Sequence, residues 1–229
     1  PRSTLSSSSA ASDVYKRQGK TSVAVQGFGN VGSVSADLLQ KAGCKVVAVS
    51  DVSGAYYNQN GLPIAEMIEY CKTSKHGLLE GFTSNCVSKI GRQELFELDV
   101  DILVPAALEK QITLENASKI KAKAIIEGAN GPTTPDAEKY LLKKGKYIVP
   151  DILANSGGVV VSYFEWVQSI NSFFWDEDEV NRNLKNVIVK SFDSVWKIAQ
   201  QEKVDLRNAA MMIAVSRVAT AVEERGIFP

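Results

Sequence analysis

Histidine and cysteine are scarce, no charge of one sign prevails, and no apolar run is long enough to span a bilayer; each shortage removes a class of function. His76 is the single histidine among 229 residues, so neither a histidine-based metal site nor a Ser-His-Asp triad can be assembled within the chain. It stands in the polar stretch Lys72-Thr73-Ser74-Lys75-His76-Gly77 and reads as a solvated loop residue. The three cysteines, Cys44, Cys71 and Cys86, are odd in number and lack C-x-x-C spacing. That argues against a disulfide framework and a zinc centre and favours a reducing, cytoplasmic setting. Lys plus Arg and Asp plus Glu balance at 26 each, leaving no field to attract nucleic acid. No stretch is apolar over the length a membrane span needs, so neither nucleic acid nor membrane is an expected partner.

What is present begins with Val23-Ala24-Val25-Gln26-Gly27-Phe28-Gly29-Asn30-Val31-Gly32, an apolar strand running into a G-x-G-x-x-G turn. Gly27 permits the tight turn, Gly29 admits a pyrophosphate close to the backbone, and Gly32 lets the next helix pack on the sheet. The N–H groups and positive dipole end of that helix then face the phosphates. An amphipathic helix is expected over 33–42 with Val34, Leu38 and Leu39 on one side, closed by Gly43. The second strand, Val46-Val47-Ala48-Val49, ends at Asp51, about twenty residues past the glycines, where an acid accepts hydrogen bonds from the adenosine ribose. Asp51 also reads as a turn starter before Ser53-Gly54.

The alternation continues. Ala55-Tyr56-Tyr57 before Asn60-Gly61 suggests a short hairpin or loop, and Pro63 opens a helix with Ile64, Met67 and Ile68 inward. Ile102-Leu103-Val104, Ala124-Ile125-Ile126 and Tyr147-Ile148-Val149 read as strands separated by helical stretches around 109–120 and 135–144. Near-continuous apolar strands alternating with helices indicate a doubly wound, mostly parallel α/β sheet of the Rossmann type, followed by C-terminal helices over 180–201 and 209–223.

Open sheets of this kind bind ligands at the carboxyl edge. There stand Ala106 and Ala107, small enough to leave room for a flat ring, and Asn130 and Asn155, whose amides match a carboxamide or ribose hydroxyl. Asn130 also suits a turn before Gly131-Pro132, and Asn155 a helix cap. Residues 1–18, serine-rich and without apolar periodicity, are expected to form a disordered leader, either non-native or of low complexity. Residues 19–164 are expected to form the dinucleotide-binding domain and 165–229 a helical segment, with Phe173-Phe174-Trp175 as an exposed cluster.

From residue 19 onward the chain resembles the C-terminal part of the glutamate/leucine/phenylalanine/valine dehydrogenase family. The resemblance is carried by Gln26 to Gly32, Pro105-Ala106-Ala107-Leu108-Glu109, Glu127 to Thr134, Pro150-Asp151, Asn155-Ser156-Gly157-Gly158-Val159, Ser162-Tyr163-Phe164-Glu165-Trp166 and Arg225-Gly226-Ile227-Phe228-Pro229. Ser-Tyr-Phe-Glu-Trp points to the glutamate branch. The resemblance implies that Gly27, Phe28, Gly29, Asn30, Val31 and Gly32 bind the pyrophosphate, Asp51 the adenosine ribose, and Ala106 and Ala107 the nicotinamide-side wall. Asn130 and Asn155 would hold the nicotinamide ribose or carboxamide, and Val159 and Ser162 would line the substrate pocket. It further implies reversible oxidative deamination of L-glutamate to 2-oxoglutarate and ammonia, and a homohexameric full-length enzyme. The family's catalytic lysine and aspartate belong to a preceding substrate domain not seen in this chain. No catalytic residue is therefore assigned here, and the expectation is the cofactor half of an enzyme. Asp51-Val52-Ser53-Gly54-Ala55 contains no base for a 2′-phosphate, so NAD is favoured with NADP admitted. The alternatives are a stand-alone nucleotide-sensing module or another amino-acid dehydrogenase of the same family.

Overall fold

The computed structural model describes residues 21–226, so the expected leader over 1–18 lies outside the described residues. The chain divides into two compact units, one ending at Tyr147 and the other beginning at Ile148.

The first unit is built on a strand that has no solvent face. In β1 (Ser22–Gln26) the side chains of Val23, Ala24 and Val25 are completely buried, as an apolar run covered on both faces requires. It pairs in parallel with β2 (Lys45–Asp51) and with β5 (Ile102–Pro105), which pairs in parallel with β6 (Ala124–Ile126). β3 (Gly54–Tyr57) folds back antiparallel on β2, and β4 (Ser88–Ile90) pairs antiparallel with β3. With β7 (Tyr147–Val149) the sheet has seven strands in the order β4-β3-β2-β1-β5-β6-β7. The mostly parallel α/β sheet expected from the alternation is therefore present. β4 is an addition, because Ser-Lys-Ile is short, polar and largely exposed and carries no strand signal.

Helix α1 (Asn30–Lys41) starts earlier than expected and turns a different face inward. Gly32 and Ala36 are its buried residues, whereas Val34 and Leu38 are 53% and 58% exposed. Leu39 is partly buried against the core. Two small residues one turn apart bring the helix backbone close to β1, and this close approach, rather than the bulk of Val34 and Leu38, decides the rotation. Helix α2 (Ile64–Thr73) behaves as expected, with Ile64 and Met67 fully buried and Ile68 partly so.

The helix expected over 109–120 shrinks to α3 (Leu114–Ala117), where Thr113 and Asn116 form a reciprocal capping box. The preceding residues extend instead. Lys110 and Ile112 donate their N–H groups to the carbonyls of Gly131 and Pro132, and Ile112 accepts from Thr134. Helix α4 (Pro135–Lys143) then leads to β7, with Pro135 in its first turn.

The second unit is helical: α5 (Asp151–Ala154), α6 (Gly157–Asn171), α7 (Glu177–Glu202) and α8 (Leu206–Arg225). Asp176 and Asp205 cap the two long helices by accepting from the N–H groups of Glu179 and Asn208. The core here is Leu153, Val195, Ala199, Leu206 and Ala209. Asp151 accepts from the Arg207 guanidinium at 2.8 Å, tying the start of α5 to the start of α8. The Phe173-Phe174-Trp175 cluster divides: both phenylalanines are exposed, while Trp175 packs edge-on against Phe164.

Candidate functional site

The carboxyl ends of β1, β2 and β5 open into a cleft of about 530 Å³. Gly27 draws the three ends together: its N–H donates to the Ser50 carbonyl at 2.8 Å, and its φ of +99° suits glycine. A Cβ there would lie 2.9 Å from the backbone of Ala106 and from the Ala107 side chain. Gly32 is excluded from substitution by a different contact, since its Cβ would stand 1.9 Å from the Gly27 carbonyl oxygen. The turn and the helix thus interlock through two missing side chains.

Gly29 meets no such constraint. Its φ of −82° is open to any residue, and a Cβ on it would touch nothing within 4 Å. It precedes α1 without a side-chain cap, and the helix's first turn holds no acid. The opening of this twelve-residue helix thus carries neither a side-chain cap nor an acid, an arrangement that favours an anion. Phe28 is buried in the core behind the loop, while Asn30 and Val31 are exposed, and all three line the cleft.

Asp51 forms the β2 side of the cleft, and its carboxylate is already engaged. Oδ1 accepts from the Ser53 N–H at 2.7 Å and from the Ser53 hydroxyl at 2.6 Å, and Oδ2 accepts from the Leu79 N–H at 2.6 Å. Asp51 therefore starts the turn expected before Ser53-Gly54 and also lines the cleft. Gly77 and Leu78 reach the cleft through the segment it anchors.

Ala106 and Ala107 line the β5 side, the first buried and the second exposed. Asn130, exposed on the loop after β6, does not line the cleft. That loop is held by the N–H groups of Gly128 and Ala129, both donating to the Pro105 carbonyl. Asn155, Val159 and Ser162 belong to the second unit. Asn155 ends α5, its N–H donating to the Asp151 carbonyl. It is Ser156, not Asn155, that precedes α6. Val159 and Ser162 are exposed, three residues apart on one face of α6.

The cleft also holds residues that sequence reading passed over. Gln26 is buried, donates from Nε2 to the Gln111 side chain at 3.1 Å, and leaves its own buried Oε1 unpartnered. Its place immediately before Gly27 was the available signal. Arg92, Gln93 and Phe96 enter from beyond β4, where no motif marked them. Among the described residues no cluster of three His, Cys, Asp or Glu is disposed to hold a metal ion, and no helix is long and apolar enough to cross a membrane.

The chain is similar over 211 residues to the glutamate dehydrogenase of Thermotoga maritima, with 53% identity across 92% of this chain and 50% of that enzyme. An NAD-specific glutamate dehydrogenase of Staphylococcus aureus is 45% identical across 89% of this chain and 48% of its own length. Among solved structures, the hetero-hexameric glutamate dehydrogenase of Thermus thermophilus superposes with a TM-score of 0.82 at 34% identity, covering 96% of this chain and 52% of that one. The chain thus spans about half the length of the curated relatives it matches. The family model for the Glutamate/Leucine/Phenylalanine/Valine dehydrogenases matches residues 3–226, and with the glycine-walled cleft at the carboxyl edge of a mostly parallel sheet this chain belongs to that family.

Proposed function

We propose that this chain is the cofactor-holding portion of a glutamate dehydrogenase and that a nicotinamide dinucleotide lies in the cleft at the β1, β2 and β5 ends. The observation that carries this reading is Gly29: neither its backbone angles nor its surroundings require glycine, so the space its missing side chain leaves is space for a ligand. The residues present fit such a group. The start of α1 would receive the pyrophosphate, Asp51 a ribose hydroxyl, and the Ala106–Ala107 wall the nicotinamide ring. Asn130 and Asn155 would hold the nicotinamide ribose or carboxamide, and Val159 and Ser162 would line the glutamate pocket; these assignments rest on the family resemblance.

When bound, the nicotinamide would accept hydride from the α-carbon of L-glutamate, on the way to 2-oxoglutarate and ammonia. This chain's share of that chemistry is to fix the cofactor in register and keep the ring face available. NADH is expected to bind somewhat more tightly than NADPH, supported by the lack of a base over residues 51–55 and by the NAD-specific relative. The complete enzyme would assemble as a hexamer, as its hetero-hexameric structural relative does. Fluorescence titration with NADH tests the core of the reading. Saturable binding, weakened at least tenfold in Gly29→Ala, is expected, and no binding by the folded chain would defeat it.

A further inference from the structure

Resting on the dinucleotide reading, we infer that Arg92 seats the 2′-phosphate of NADPH, so that this cleft takes the phosphorylated cofactor through a residue far in sequence from the strand end that receives the ribose. Arg92 lies between β4 and the short 3-10 turn Glu94–Glu97. The β2-β3-β4 antiparallel extension brings it to the same end of the cleft as Asp51, Val52, Gly77 and Leu78.

Among the described residues, Asp51 and Arg92 are the only ionisable side chains that line the cleft. Without Arg92, a 2′-phosphate arriving beside the ribose would meet one carboxylate and no cation. With it, the guanidinium offers a planar fork of donors matched to phosphate oxygens. Arg92 is exposed and forms no ion pair among the described residues, so no existing bond must break for it to turn to a ligand.

The state of Asp51 points the same way. An ionised carboxylate offers about four lone-pair sites, and Ser53 and Leu79 occupy three of them. With those donors in place one site remains, enough for a single ribose hydroxyl. Of the residues at that wall, Arg92 is the one whose side chain is a cation suited to a phosphate at the 2′ position.

The test is equilibrium titration of the whole chain with NADH and NADPH, in the wild type and in Arg92→Gln and Arg92→Lys. Displacement by 5′-AMP and by 2′,5′-ADP isolates the adenosine end. Wild type should bind NADPH. Arg92→Gln should weaken NADPH and 2′,5′-ADP about 10- to 100-fold, the range expected for losing a charge-assisted pair, while NADH and 5′-AMP change by less than about twofold. Arg92→Lys should retain part of the affinity as a point charge without the fork. If wild type binds NADH but not NADPH, or if Arg92→Gln leaves the NADPH-to-NADH ratio unchanged, the assignment of Arg92 is overturned and the dinucleotide reading stands. If the folded wild type binds neither nucleotide, both fall together.

Discussion

Gly29 and Gly32 lie one helical turn apart, yet an added methyl group acts on them through different forces. At Gly29 the methyl meets no protein atom and the backbone angles accept it. Gly29→Ala should keep its thermal midpoint close to that of wild type, with a stability change under about 1 kcal/mol from the poorer cap. Its nucleotide affinity should still fall tenfold or more. An unchanged dissociation constant would make Gly29 a turn residue only. At Gly32 the same methyl collides with the Gly27 carbonyl, so Gly32→Ala should lose roughly 1–3 kcal/mol in urea denaturation, with binding falling as the loop is displaced. The cysteines differ in a comparable way. Burial pushes the thiols of Cys44 and Cys71 up from their ordinary value, in Cys71 with the Asp51 charge adding to it, while Cys86 is exposed. Near neutral pH a thiol reagent should label Cys86 first, and Cys86→Ser should remove that fast phase.

Among the elements, Asp101 clasps three strands at the amino edge of the sheet, opposite the cleft. Its Oδ2 accepts from the Ser22 N–H and hydroxyl at 2.9 and 3.0 Å, and its Oδ1 from Lys123 at 2.6 Å. The clasp thereby joins the starts of β1, β5 and β6. Lys123, then Ser22, hold its carboxyl below the usual value against a smaller opposing effect of burial. A lowered folded-state pKa means that the stabilisation is fully present above the unfolded value, near pH 4, and is lost as pH falls through the lowered one. Asp101→Ala should therefore cost about 1–2 kcal/mol at pH 7 and show a shallower loss of stability in acid, measured by urea melts from pH 7 down to pH 2.5. The same elements show what the sequence made legible. β1, β2 and β5 could be read because buried parallel strands are continuous apolar runs, and β6 and β7 because their three residues are apolar throughout although only the middle one of each is buried. β4 could not, since an exposed edge strand needs no apolar pattern, and with it went Arg92, Gln93 and Phe96. The face of α1 was misread because two small side chains, silent in a hydrophobicity pattern, govern its packing on β1. The helix expected over 109–120 is cut down to α3 because the residues before it pair with 131–134, a contact no local signal announces.

At the scale of the whole molecule, the question is whether a chain spanning about half the length of its relatives can complete the reaction proposed for them. Hydride transfer from glutamate needs a bound cofactor, a clamp on the substrate carboxylates, and a group that moves protons at the α-amino nitrogen. In the proposed dinucleotide reading, the cleft supplies the first. Its two ionisable side chains among the described residues do not supply the third: Asp51 stands at the β2 end with its oxygens held by Ser53 and Leu79, and Arg92 offers donors but no acceptor. A positioned acid–base group is typically worth about 10²–10⁴ in rate, and loss of substrate positioning compounds that deficit. The purified chain should therefore bind NADH yet show no glutamate-dependent rise in absorbance at the NADH band with saturating glutamate and NAD. Fusing the other half of the Thermotoga maritima relative in cis should restore turnover, since the 53% identity between the two chains makes a matched interface a reasonable demand. Robust glutamate-dependent turnover by the chain alone would defeat this division of labour and locate the proton-moving group on its own surface, with the exposed face of α6 that carries Ser162 the first place to mutate.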